Sequence, residues 1–227
     1  MNNPKKNHIL SALPEVEYQR LIHLLEPVEL TLNEVLTQAQ CKSEFLYFPT
    51  KGIISLLSIM KNGSTTEIGL IGREGMVGAL QLLVDGISNS ITVVQVEGTA
   101  MRIEAEVMRV ELERYETLHK LLLHHSWNLF NQVSQCAACN NHHSVKQRTA
   151  RWLLMLDDRS DNTLWMTQKL LSKMLGVRRT GLSETANELK QQGIIDYRRG
   201  EITILDRKAL EAISCECYEL IRLACNF

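Results

Sequence analysis

Between Thr167 and Gly200 the sequence gathers side chains suited to reading another polymer. Arg178, Arg179, Thr180, Ser183, Glu184 and Asn187 offer donors and acceptors, while Leu182, Ala186 and Leu189 recur between them at steps of 4 and 3. That spacing marks a helix with one buried stripe, suited to rest on Leu171 and Leu175, and one polar face. A helix of this kind can enter the major groove of a duplex, where one well-matched arginine–guanine pair discriminates by roughly 1–3 kcal/mol. Two more cations, Arg198 and Arg199, precede Gly200 at the tip of a predicted hairpin, placed to meet a phosphate backbone. The stretch 167–200 holds 7 basic against 3 acidic residues, although the whole chain carries a net charge of −1. Residues 1–141 carry 11 basic and 15 acidic residues, and residues 142–227 carry 14 and 11, so the positive charge is a local footprint.

Other residues with chemical potential are read as structural. The six cysteines, Cys41, Cys136, Cys139, Cys215, Cys217 and Cys225, are too few and too irregular in 227 residues for a secreted disulfide framework. Cys136, Cys139 and His143 fall at i, i+3 and i+7 of one helical face, but a structural CxxC usually comes from a turn and has a second pair. Cys215 and Cys217, two apart, would diverge on a helix. No metal site is therefore expected, and no cofactor. A metal-dependent oxidase built on β-strands needs clustered histidines, and residues 27–104 contain none, so no catalytic residue is assigned.

The elements that would position the polar helix follow from periodicity. A short opening helix, 14–25, carries Val16, Leu21 and Leu24. Short β-type runs follow at 27–30, 34–37, 45–48, 53–59, 65–71, 91–96 and 99–103. Lys51-Gly52, Asn62-Gly63, Gly72 and Glu97-Gly98 punctuate them, the last three suiting hairpins. From Val107 to Asn140 there is neither Pro nor Gly. Leu118, Leu122, His125, Leu129, Val133 and Cys136 step by 4, 3, 4, 4 and 3 along it, the pattern of a long helix packed on a partner helix, read as a self-association seam. After a helix at 145–156 and a polar loop at 157–162, Thr167 is the expected N-cap of a helix at 168–175. Gly176 supplies the turn, Arg179–Gln192 the second helix closed by Gly193, and 194–198 with 201–205 a hairpin. The fold class is α+β, with units at 1–106, 107–141 and 142–227. No apolar run reaches the roughly 20 residues of a membrane span, and the N-terminus has no apolar leader, so a cytoplasmic location away from membranes is expected.

Thr167–Thr180, Glu188–Ile195 and Tyr197–Asp206 together resemble the winged helix of the Crp/Fnr superfamily, and the order of β-roll, long helix and helix-turn-helix extends the resemblance over nearly the whole chain. The resemblance implies a β-roll sensor domain, a dimerisation helix, and a homodimer on a near-palindromic double-stranded DNA operator, with contact to RNA polymerase if the protein activates. It places Thr167, Gln168, Arg178–Thr180, Ser183, Glu184, Asn187, Arg198 and Arg199 at the DNA, with Arg179 on a base. The next two specificity positions of the cyclic-AMP receptor pattern, glutamate and arginine, hold Thr180 and Glu184 here, so a different operator is implied. In cyclic-nucleotide-binding members a glutamate holds the ribose and an arginine the phosphate. In the matching segment, Gly78–Ser90, these positions hold Ala79 and Asn89, and only Ser90 agrees. An effector pocket near Gly78, Ala79, Asn89 and Ser90, with Arg73 and Glu74 from the preceding loop, is thus expected not to take ordinary cyclic AMP. The alternative is a small-ligand, metal or redox sensor whose winged helix engages protein.

Overall fold

The computed structural model describes residues 3–160, 164–198 and 200–225, the side chains at 164 and 165 excepted. It divides into two compact units, one built from the chain as far as Leu56 with Gly69–Phe130, the other from Leu57–Ile68 with Asn131 onward.

The first unit opens with a 3-10 turn, Pro4–Lys6, and two short helices, α1 (His8–Ser11) and α2 (Glu15–Ile22). The buried Asn7 caps α1 and donates to the carbonyls of Pro49 and Gly75. In α2 Leu21 is buried and Val16 faces solvent, as does Leu24 in the turn that follows. The sheet consists of β1 (Glu26–Leu30), β2 (Val35–Thr37), β3 (Phe45–Ile59), β4 (Thr65–Ile71) and β5 (Ser90–Glu104), in the order β1-β5-β3-β4 with β2 also on β5. One end of β5 pairs antiparallel with β1, from Glu26↔Arg102 to Leu30↔Gly98, and the other end with β2 at Val35↔Val93.

The four short runs expected at 45–48, 53–59, 91–96 and 99–103 are therefore two 15-residue strands, and Lys51-Gly52 and Glu97-Gly98 do not turn the chain. The glycines serve close approach instead. A Cβ on Gly98 would lie 2.1 Å from the Lys51 carbonyl oxygen, and one on Gly52 (φ 94°) 2.6 Å from that of Val96. Only residues without a Cβ let the two backbones cross there. Of the expected hairpin turns, Asn62-Gly63 does join β3 to β4, with Gly63 at φ 78°, while Gly72 leads into a loop.

The helix expected from Val107 to Asn140 is two. After α3 (Ala79–Val84), α4 (Ala105–Arg114) stops at Tyr115, whose backbone is extended, and α5 (Glu116–His142) begins. Neither Pro nor Gly marks the break. The Glu17 carboxylate accepts from the Leu118 N–H at the new N-terminus, and buried Glu111 of α4 takes Arg20 of α2 at 2.7 Å. The break lets α5 turn the predicted seam inward. Leu118 and Leu122 join Phe48, Met76, Ile103 and Met108 in one apolar core, and Leu129 joins Tyr47, Ile54 and Val94 in another.

In the second unit α6 (Val145–Asp157) is opened by a reciprocal capping box between Ser144 and Gln147. Its Trp152, 1% exposed, donates its indole N–H to Glu67 of β4. Then come β6 (Leu164–Trp165), α7 (Gln168–Met174), α8 (Arg179–Gln191), β7 (Ile195–Arg198) and β8 (Glu201–Ile204), with a sheet order of β6-β8-β7. The chain closes with α9 (Arg207–Ile213) and α10 (Cys217–Cys225). Asp157 and Asp158, expected in a polar loop, instead bind Arg207, whose guanidinium also reaches the Tyr218 hydroxyl at 2.7 Å. The rest of that loop, from 161, lies outside the described residues. No described helix is long and apolar enough to cross a membrane.

Candidate nucleic-acid interface and effector cavity

The polar ridge of α8 is built by its opposite face. Leu182 and Leu189 are fully buried and Ala186 nearly so, and with Leu171 and Leu175 they fix α8 on α7. Thr167 caps α7 by accepting from the Leu170 N–H at 3.2 Å. Gly176, at φ 62°, makes the turn that an L side chain would strain, and Gly193, at φ 69°, ends α8. On this frame Arg178, Arg179, Thr180, Glu184 and Asn187 are exposed. Ser183 is half-buried and donates to Gln168 Oε1 at 2.7 Å, so this pair braces the two helices against each other. In the hairpin, Asp196 is held below the usual carboxylate range chiefly by its hydrogen bond from Lys190, and Arg198 lies 2.8 Å from it. The Arg198 side chain still keeps 78% of its surface in solvent. Arg199 lies outside the described residues. The structure thus places the predicted α8 residues on one side of one helix, with the cap and the hairpin on the same small domain.

The predicted effector residues are only partly brought together. A cavity of about 320 Å³ inside the roll is lined by Gly78, Ala79 and Asn89 as expected, but also by Thr37, Leu56, Ile71, Met76, Thr92 and Leu129. Arg73, Glu74 and Ser90 are not part of its lining. Glu74 turns back to accept from the Gly72 N–H at 3.1 Å, and the Arg73 carbonyl accepts from the His8 N–H. Among the described lining residues none is charged. Asn89 is engaged by the Gln40 side-chain amide, and the Thr37 and Thr92 hydroxyls hydrogen-bond each other at 2.7 Å. The strand residues of this wall were missed because they alternate like any buried strand; the pairing of β2 with β5 is what turns Thr37 and Thr92 to one space.

The predicted dimer seam is corrected at five of its six residues, which the single chain buries. Leu118, Leu122, His125, Leu129 and Cys136 are at most 8% exposed within the single chain, and Val133 is half-buried. His125 packs on Gly75, and its Nε2 lies 2.9 Å from the Met76 carbonyl oxygen; burial pushes its pKa down. Cys136 accepts from Arg151 at 3.1 Å. The face of α5 left apolar and open is instead Leu123, Trp127 and Phe130, 52–60% exposed, with the two rings stacked at 5.8 Å.

The expectation that Cys215 and Cys217 diverge is also overturned. Ser214 ends α9 in an extended conformation and α10 starts only at Cys217, so the two are not on one helix. Their thiols turn to the same side and, with Cys139 and His143 of the α5 terminus, put four donor atoms within 4.8 Å of one another.

Two family models match the chain in succession: a cyclic nucleotide-binding domain over residues 27–115 and a Crp-like helix-turn-helix domain over residues 147–213. No curated protein matches it in sequence. Among solved structures it is similar to FixK2 from Bradyrhizobium japonicum, with a TM-score of 0.71 at 14% identity, covering 84% of this chain and 98% of that one. A putative transcriptional regulator of the Crp/Fnr family from Eubacterium rectale gives 0.71 at 16%, covering 92% and 98%. The c-di-GMP responsive global regulator CLP from Xanthomonas campestris gives 0.68 at 13%, covering 84% and 99%. With both domain models matched in that order, over more than two thirds of its length and on this fold, the chain belongs to the Crp/Fnr family of transcription regulators.

Proposed function

We propose that the protein is a sequence-specific regulator acting as a homodimer, with α8 of each copy in a major groove of a near-palindromic operator. The observation that carries this reading is the exposed ridge Arg178, Arg179, Thr180, Glu184 and Asn187 on a helix whose other face is buried. Arg179 reads a base edge; Arg198 and Arg199 of the wing, with the first turn of α7 at Thr167 and Gln168, hold phosphates. Residues 1–106 sense, the helices at 107–141 pair two copies, and residues 142–227 bind DNA. Pairing uses the open face Leu123, Trp127 and Phe130, since that stripe offers aromatic surface that the chain's own core does not cover.

The roll takes an uncharged effector rather than ordinary cyclic AMP. The described residues lining its cavity are mostly apolar and include no cation, and a buried phosphate there would forgo a charge-assisted pair about twice as strong as a neutral hydrogen bond. Micromolar cyclic AMP binding in calorimetry would refute this. The DNA reading is tested by footprinting across a salt series: affinity is expected to fall steeply, with a log–log slope of about −0.9 per phosphate neutralised. A salt-independent protein contact in its place would support the alternative, a sensor whose winged helix engages protein. Arg179→Ala is expected to lower discrimination between operator and random DNA by roughly 1–3 kcal/mol. Equal loss on both would reassign Arg179 to phosphate.

A further inference from the structure

We propose that Cys139, His143, Cys215 and Cys217 hold a zinc ion in a closed tetrahedral site that clasps the C-terminal end of α5 to the α9–α10 junction. Three cysteines and one histidine are a complete structural zinc set. The atoms are already near the spacing such an ion imposes. Cys139 Sγ lies 3.5 Å from Cys215 Sγ, and Cys217 Sγ lies 3.5 Å from His143 Nδ1. Tetrahedral bonds of ~2.3 Å to sulfur and ~2.0 Å to nitrogen put such pairs about 3.8 and 3.5 Å apart. The widest separation, within 4.8 Å, exceeds the tetrahedral sulfur–sulfur spacing by only about 1 Å. Sulfur-rich tetrahedra take zinc or iron–sulfur groups, and donors this close fit one ion rather than the wider spread of a multi-iron cluster.

The surroundings match a metal site in three further respects. His143 presents Nδ1 to the sulfurs and Nε2 to the Glu216 carboxylate at 3.2 Å, the carboxylate–histidine–metal relay that fixes the tautomer of a ligating imidazole. Gln135 donates to Cys217 Sγ at 3.1 Å, an outer hydrogen bond that steadies a thiolate. Three thiolates around one divalent ion leave a net negative charge, and α6 supplies the buried cations Arg148 and Arg151, both in the electrostatic field of Cys139 and Cys215. A plain apolar thiol cluster would need neither the imidazole nor its carboxylate partner. With four protein donors no coordination position is left for a substrate, so the ion braces structure rather than performing a reaction.

The full-length protein purified without chelator is expected to carry one zinc per chain by plasma mass spectrometry. Cobalt(II) added to the metal-free protein is expected to produce the thiolate-to-metal charge-transfer band and strong visible absorption of a tetrahedral site. Cys139→Ser and Cys215→Ser should abolish both signals and Cys41→Ser neither, while Glu216→Gln should weaken binding by about 10–100-fold. Should the serine variants not fold, the wild-type cobalt spectrum and zinc protection of three thiols from alkylation decide the matter. Absent cobalt bands, thiols alkylated equally with and without zinc, or a Cys139–Cys215 disulfide in protein taken unreduced from cells would each overturn the proposal.

Discussion

Helices α5 and α8 carry the same signal in sequence, an apolar stripe at steps of 3 and 4, and differ in what the stripe meets. In α8 the stripe meets α7 just upstream across the turn, with α6 and β7 also packed against the helix, and Leu182, Ala186 and Leu189 bury where expected. In α5 the stripe from Leu118 to Leu129 meets residues some 40–80 positions upstream, in cores that include Phe48, Met76 and Val77, while Cys136 meets Arg151 of α6. Periodicity states which residues leave water. It does not state what replaces the water: a long helix beside a β-roll can meet the roll or a second helix, whereas the turn at Gly176 holds α8 against α7.

The largest effect that separates these cases is expected from the two faces of α5. Leu122→Ala, at a fully buried site, should cost roughly 2–5 kcal/mol in chemical denaturation and leave the assembly state of the folded fraction unchanged. Trp127→Glu combined with Phe130→Glu should do the opposite, halving the mass in light scattering and weakening operator binding while the unfolding midpoint of the monomer is little altered. If Leu122→Ala dissociated the protein and the Trp127/Phe130 pair did not, the assignment of faces would be reversed.

The same distinction explains which features were legible. Local ones were: the Thr167 cap, Gly176, the α8 stripe and the hairpin after Gly193 lie within a few residues of what they act on. Features that depend on distant backbone were not. Gly52 and Gly98 read as turns because a turn is the local use of glycine; here each relieves the other strand across the sheet. The break at Tyr115 follows from tertiary packing and from Glu17 at the new helix end, not from a breaker residue. Cys215 and Cys217 diverge only if one helix carries both; α9 ends at Ser214 and α10 starts at Cys217, so Cys215 lies between the two helices. The two-residue β6 exists through pairing with β8, at Leu164↔Ile202 and Trp165↔Glu201, which no run that short signals alone.

His125 gives a smaller test on the α5 side. Burial dominates and lowers its pKa; the Met76 carbonyl and Glu74 act in the other direction without overcoming it. The unfolded chain protonates this imidazole near about pH 6.5, whereas the folded chain does so only at lower pH. The unfolded state therefore binds more protons in that window, so stability is complete above about pH 6.5 and declines as the pH falls below it. In thermal melts from about pH 8 to about pH 5, His125→Gln should flatten that part of the decline. An unchanged slope would mean that other groups carry it.

The smallest expected effects lie at the two helix starts, where the contrast between local and distant partners is sharpest. Thr167 accepts from Leu170, three residues on; Glu17 accepts from Leu118, 101 residues on. Each satisfies one N–H that a helix start leaves without an intrahelical partner, so Thr167→Ala and Glu17→Ala should each cost about 1 kcal/mol. Their consequences should differ. The Thr167 loss is confined to the first turn of α7 and should raise amide exchange there and weaken operator binding modestly. The Glu17 loss releases the start of α5 from α2, so exchange should rise in both elements together. Should Glu17→Ala loosen only its own helix, the start of α5 would be held by Leu118 and Leu122 in the core rather than by the carboxylate.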